Sequence, residues 1–211
     1  MTNILLISST LSEASKLVEA CNENTLAILY DPSVDTYETL LNKIEKIDST
    51  KIINIAIAAH SSSQPFFKLL DKEDKCILPT VEESSMDSWN NFLNNFLKKL
   101  KENIIYLENL DLLGCSILSI YGWNKVITYL EKEVDINIRA SDNKTGNQLS
   151  GGDWILESDG INIKDVYFNT KIEDFTIMLQ HTYYPPEAIN PRLFNGIDVG
   201  NYSAPRLVDL N

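Results

Sequence analysis

The sequence predicts an α/β protein: a mostly parallel central sheet with helices on both faces, followed by a C-terminal hairpin and an extended arm. Three observations carry that prediction. Short apolar runs alternate with amphipathic helical stretches along most of the chain, as expected where each crossover places a helix over the sheet. The most hydrophobic run, Lys51 to Ala59, is rich in β-branched residues with little polar alternation, the pattern of a central strand covered on both faces. The final thirty or so residues are interrupted by Pro185, Pro186, Pro191 and Pro205, which excludes regular elements there.

In order, Asn3 to Ser8 reads as a strand. Leu11 to Cys21 reads as a helix, with Ala14, Leu17, Val18 and Cys21 at helical spacing and Ser12 as its cap. Thr25 to Tyr30 is a second strand, closed by Asp31-Pro32, and Tyr37, Leu40, Leu41, Ile44 and Ile47 form the apolar face of a second helix. Lys51 to Ala59 is the third strand. Ser61 to Pro65 follows as a loop, and Cys76 to Thr80 as a minor strand. Trp89, Phe92, Leu93, Phe96, Leu97 and Leu100 then mark the clearest amphipathic helix. Asn109 to Gly114 is the next strand, Trp123 to Val134 the helix after it, and Ile136 to Ala140 another strand. Ser141 to Gly152 is turn-rich. Asp153 to Glu157 and Gly160 to Phe168 read as an antiparallel hairpin. The organisation is one α/β domain over 1–179 and an arm over 180–211. The arm carries Tyr183, Tyr184, Leu193, Phe194, Ile197 and Tyr202, too many apolar groups for a solvated linker. It reads as a segment that docks, on its own domain or on a partner.

Composition narrows the function classes. A chain of 211 residues can bury a full core, and its net charge of −12 opposes the phosphate contacts that nucleic acids and anionic membranes require. No apolar run approaches the roughly 20 residues of a spanning helix, and Thr2 to Ser9 lacks the basic flank and cleavage site of a signal peptide, so a cytoplasmic location is expected. Cys21, Cys76 and Cys115 are odd in number and widely spaced, which signals neither a disulfide framework nor a CxxC metal site. Phosphate-binding, dinucleotide, zinc-protease and calcium-loop motifs are missing, so neither cofactor nor metal is expected. Asn and Ile each make up about a tenth of the chain, a bias that carries no chemistry by itself.

The chemistry points to two strand ends. His60 closes the run ending Ala58-Ala59, and Cys115 closes Leu110-Asp111-Leu112-Leu113-Gly114. Carboxyl ends of neighbouring parallel strands form the edge where α/β proteins bind ligands, so a histidine and a thiol there suggest a nucleophile with its base. Small and polar flanks, Ser61-Ser62 after the histidine and Gly114 and Ser116 around the cysteine, leave backbone amides available to an anion. Against this, free cysteine is among the most buried residue types and often only fills space. Asp153 and Trp154 read as architecture, a turn hydrogen bond and a core anchor, and His181, Cys21 and Cys76 lack any supporting pattern.

Ala59-His60-Ser61, Leu113-Gly114-Cys115, and Ala140-Ser141 through Asp142-Asn143-Lys144-Thr145-Gly146-Asn147 to Gly151-Gly152-Asp153-Trp154 occur in that order. Together they resemble an uncharacterised bacterial domain of large surface or secreted proteins with cadherin-like or calcium-binding repeats. That domain is similar to caspase-like, clan CD cysteine peptidases. The 55 positions from His60 to Cys115 lie near the roughly 50 typical of caspases. The resemblance implies a caspase-like three-layer sandwich and peptide-bond hydrolysis. Cys115 would be the nucleophile and His60 the base and acid, with the backbone amides of Ser61 and Cys115 holding the oxyanion and Ser62, Ser116 and Asp142 bordering the cleft. Two positions depart from the pattern: Ser61 stands where glycine normally follows the histidine, and Ser116 where asparagine follows the cysteine. The partner is then a peptide or protein substrate. In the alternative, an inert caspase-like module serves assembly, with residues 180–211 docking on another protein. A third reading, a processing or export domain, follows only from the company that the bacterial family keeps.

Overall fold

The computed structural model describes residues 2–47, 52–60, 69–70, 91–119 and 123–179. The expected minor strand Cys76 to Thr80, His181 and the arm over 180–211 lie outside the described residues.

Five strands form one wholly parallel sheet: β1 (Thr2–Ser8), β2 (Thr25–Tyr30), β3 (Ile52–Ala58), β4 (Asn109–Leu113) and β5 (Asn137–Ala140), in the order β2-β1-β3-β4-β5. The order reverses direction between β1 and β3, because the chain first winds outward to β2 and then returns past β1. In such sheets the crevice for ligands opens at the carboxyl ends of the strands. The periodicity of each strand explains its two buried faces. Ile4 and Leu6 point to one side with Tyr30, Ile55, Ile57, Leu110 and Leu112, and Leu5 and Ile7 to the other with Ala56, Ala58 and Leu113.

The first side is covered by α2 (Tyr37–Ile44), α3 (Asn91–Asn103) and α4 (Trp123–Val134). Tyr37 stacks on Phe96 where α2 meets α3, with ring centroids 4.9 Å apart. Thr36 caps α2 through a capping box with Thr39, and the helix ends at Ile44, three residues short of the apolar periodicity. The second side is covered by α1 (Ala14–Ala20), α5 (Ile163–Tyr167) and the 3₁₀ turn Thr170–Asp174. The alternating pattern predicted a mostly parallel sheet with helices on both faces, and these layers form it as a three-layer α/β sandwich.

Two local expectations are corrected. Glu13, not Ser12, occupies the cap position of α1, and its side chain makes no capping bond because it reaches across to Thr176 instead. The hairpin is also shorter than its sequence suggests. β6 (Ile155–Leu156) and β7 (Ile161–Asn162) pair antiparallel over two residues each, and the chain then turns into α5 instead of continuing as a strand to Phe168. Asn162 accepts from the Lys164 amide as the cap, and Ile163 and Tyr167, four apart, both reach the core. Ile161 thus belongs to β7 and Ile163 opens α5, so the two apolar residues serve different elements.

Candidate active site

His60 follows the end of β3 by two positions, and Cys115 follows the end of β4 by two positions. These strands are direct neighbours, paired Ala58 to Leu113, and the Ala59 amide donates to the Leu113 carbonyl at 3.3 Å. The register therefore brings residues 60 and 115 to the same level of the sheet's carboxyl edge, on strands whose spacing is about 4.8 Å. The β3–β4 ladder stops there: among the described residues the Cys115 amide donates to no carbonyl. His60 is half-buried. Ser61 and Ser62 lie outside the described residues, so the expected oxyanion amide of Ser61 and the cleft position of Ser62 do too.

The Cys115 side chain is 2% exposed and belongs to the same buried cluster as Leu113, Trp154, Tyr167 and Leu179. Its Sγ donates to the Thr145 carbonyl at 3.4 Å. Burial pushes the thiol up to about 11, with the Thr145 contact, Lys144 and the Leu179 backbone pulling weakly the other way. At neutral pH it is a protonated thiol in a closed site. Ser116 carries φ of 54°, a left-handed conformation that costs a residue with a Cβ and marks a backbone held by its surroundings. What holds it is Asn143, whose carbonyl accepts from the Ser116 amide at 2.5 Å and from its hydroxyl at 3.2 Å. The Ser116 amide is thus already committed. Asp142 is exposed, its carbonyl accepting from the Ser119 hydroxyl at 2.9 Å and its amide donating to Glu157 at 3.0 Å, which puts it beside the Cys115 turn.

The stretch from Ser141 to Trp154 is the frame around that turn. Thr145, fully buried, donates its hydroxyl to the Gly114 carbonyl at 3.2 Å, and Leu118 donates its amide to Ser141 at 3.0 Å. Asn143 donates to both Asp153 and Glu157. Gly152 leaves no room for a side chain, since a Cβ would sit 2.9 Å from the Lys144 carbonyl. Trp154 is buried against Phe168 and Phe175, with centroids 5.4 and 5.6 Å away. The architectural role read from Gly-Gly-Asp-Trp fits these contacts.

Residues 4–179, from the first strand through Leu179, match a family described as a domain of unknown function, DUF4347. The chain belongs to the DUF4347 family. No curated protein and no solved structure matches it. The match spans both strand ends, so His60 and Cys115 lie within the DUF4347 domain, and the arm from 180 onward lies beyond it.

Two polar networks escaped the sequence reading, both on the sheet face that carries Cys115. Asp111 on β4 is fully buried and accepts both prongs of Arg139 on β5, at 2.5 and 2.6 Å, and the Tyr167 hydroxyl at 2.5 Å. Burial pushes the Asp111 carboxyl up against the pull of Arg139 and Tyr167. Burial likewise works to lower Arg139, and the Asp111 contact outweighs it; the Tyr167 phenol is raised well above its ordinary value by burial and by the same carboxylate. Two residues nearer the amino ends, Asn54 donates to Asn3 at 2.8 Å, Asn109 to Asn54 at 2.7 Å and Asn137 to Asn109 at 3.1 Å. This asparagine ladder crosses four strands in one register row and ends on the Val166 carbonyl and the Asp159 carboxylate. A charge inside each of the runs Leu110–Leu113 and Ile138–Ala140 was the available signal for the first network.

No cluster of three potential metal ligands exists among the described residues. No described helix is long and apolar enough to cross a membrane. A pocket between α2 and α3, lined by Leu41, Ile44, Glu45, Leu100, Asn103 and Ile104, is built on the sheet face opposite to Cys115 and holds no nucleophile.

Proposed function

We propose that this DUF4347 domain is a caspase-like cysteine peptidase, with Cys115 as nucleophile and His60 as its base and acid. The observation that carries the reading is the shared register: the only pair of neighbouring strand ends here to carry a thiol and an imidazole, among the described residues, does so at one level of the ligand-binding edge. In the reaction, Cys115 passes its proton to His60 and the thiolate attacks the peptide carbonyl carbon. The C–N bond breaks, His60 returns the proton to the departing amine, and a thioester to Cys115 remains. Water then attacks the thioester, giving its proton through His60, and releases the carboxylate product and the thiol. In this reading the Cys115 backbone amide would hold the developing oxyanion.

A second reading is favoured by one observation, the burial that raises the Cys115 thiol to about 11. In that reading the domain is an inert α/β module, Cys115 packs the core, and residues 180–211 dock on a protein partner. Digestion of a proteome-derived peptide library, with new termini identified by mass spectrometry, separates the two. The peptidase reading expects cleavage by the wild-type chain that is lost in Cys115→Ala and in His60→Ala. Identical peptide pools from wild type and Cys115→Ala contradict it and leave the inert module.

A further inference from the structure

We propose that Leu179 is a built-in plug of the Cys115 site, and that the segment Phe175–Leu179 occupies in cis the strand edge on which an extended peptide with a medium-sized apolar side chain docks. That the docking peptide is a substrate rests on the peptidase reading; the plug rests on geometry alone. Residues 145–147 present a short extended edge. The segment lies antiparallel along it: Gly146 bridges Met178, the Asn147 amide donates to the Ile177 carbonyl at 3.0 Å, and the Leu179 amide donates to the Thr145 carbonyl at 2.9 Å. This is the main-chain pairing by which peptides add to a free strand edge. Gly146 makes it possible, because a Cβ at φ of 140° would sit 2.6 Å from the Met178 Cα.

The end of the segment meets the nucleophile. Leu179 N–H and Cys115 Sγ donate to one and the same oxygen, the Thr145 carbonyl. Leu179 is fully buried in the cluster that contains Cys115. A peptide carbonyl therefore reaches the sulfur only after this end has moved, and the volume it vacates beside the thiol is that of an apolar side chain. The selected residue is accordingly leucine-like, not acidic.

The segment is anchored unevenly, as a plug that peels from one end requires. Its far end is tied at three places. The Phe175 carbonyl accepts from Asn147 Nδ2 at 2.7 Å, the Thr176 carbonyl accepts from Ser150 Oγ at 2.6 Å, and Thr176 donates its amide and hydroxyl to Glu13 at 2.7 and 2.9 Å. At the thiol end, among the described residues, the backbone bond from Leu179 to Thr145 carries the hold together with the buried leucine.

The test is site-resolved iodoacetamide labelling of the full chain, followed by mass spectrometry. Leu179→Ala is expected to speed labelling of Cys115 by about tenfold while changing Cys21 less than about twofold, and Leu179→Val by about threefold. The capped peptide Phe-Thr-Ile-Met-Leu, added at millimolar concentration, is expected to slow labelling of the Leu179→Ala chain. Leu130→Ala, a core truncation on the opposite face, is expected to leave Cys115 slow. Equal acceleration in Leu130→Ala, or unchanged Cys115 labelling in both folded Leu179 variants, overturns the plug. Fast labelling without hydrolysis of leucine-containing peptides refutes the peptidase reading and leaves the plug standing; slow labelling refutes the plug whatever hydrolysis is seen.

Discussion

Replacing Asn54 with Ala removes one of the two inner members of the asparagine ladder, and the structure sets the size of the effect. Asn54 makes two side-chain hydrogen bonds, donating to Asn3 at 2.8 Å and accepting from Asn109 at 2.7 Å. Each such bond contributes about 1 kcal/mol net, and the groups left behind add a further penalty where water reaches them poorly. Asn3 is buried and Asn54 half-buried, so the total is about 2–3 kcal/mol, equivalent to a fall in Tm of roughly 4–12 °C for a domain of this size. Asn137 closes the exposed end of the ladder, and Asn137→Ala is expected to cost about 1 kcal/mol or less. Urea denaturation of the two variants measures the gradient, and a double-mutant cycle of Asn54 and Asn109 should return a coupling of about 1 kcal/mol. The reasoning is refuted if Asn54→Ala costs no more than Asn137→Ala, because the ladder would then be a surface row without hold on the strand register.

Three further outcomes follow from the same face of the sheet. Asp111→Ala strands the Arg139 guanidinium in the core and is expected to lower unfolding free energy by about 3–5 kcal/mol, whereas Asp111→Leu combined with Arg139→Met recovers most of the loss in urea titrations. Gly146→Ala forces a Cβ into the Met178 backbone at a left-handed φ and is expected to cost more than about 2 kcal/mol, against about 1 kcal/mol for Gly160→Ala, where the space is open. Burial holds Cys21 and Cys115 at about 11 in the folded chain, above the usual 8.5 or so of an unfolded thiol. The folded state keeps these protons longer than the unfolded state does. Stability is therefore undiminished below about pH 8.5 and falls as the pH rises toward 11, a decline that Cys21→Ala and Cys115→Ala should each flatten in urea midpoints measured across that range.

How much was legible in the sequence depended on whether the signal was local. The parallel sheet was legible because each strand and helix carries its own periodicity, and the two strand-end residues were legible because His60 and Cys115 stand immediately after apolar runs. Their alignment was not, since it is fixed by the Ala58 to Leu113 register between strands 55 residues apart. The helix at Ile163–Tyr167 was hidden because β7 ends where it begins and one Ile-x-Ile pair serves both. The asparagines looked like compositional bias, and only the pairing of four strands in one row makes Asn3, Asn54, Asn109 and Asn137 a ladder. Closure of the site by Leu179 had no sequence signal at all, because a buried leucine at a domain end reads as packing until Thr145 is seen to accept from both it and Cys115.

The pairing of Cys115 with His60 is tested most directly by the pH profile of Cys115 alkylation in Leu179→Ala, with and without His60→Ala. The account predicts an inflection between about pH 6 and 8 in the single variant that disappears when His60 is removed, the signature of a thiol activated by an imidazole. A rate that climbs only above about pH 8.5, the same in both chains, is that of a solitary thiol and contradicts it.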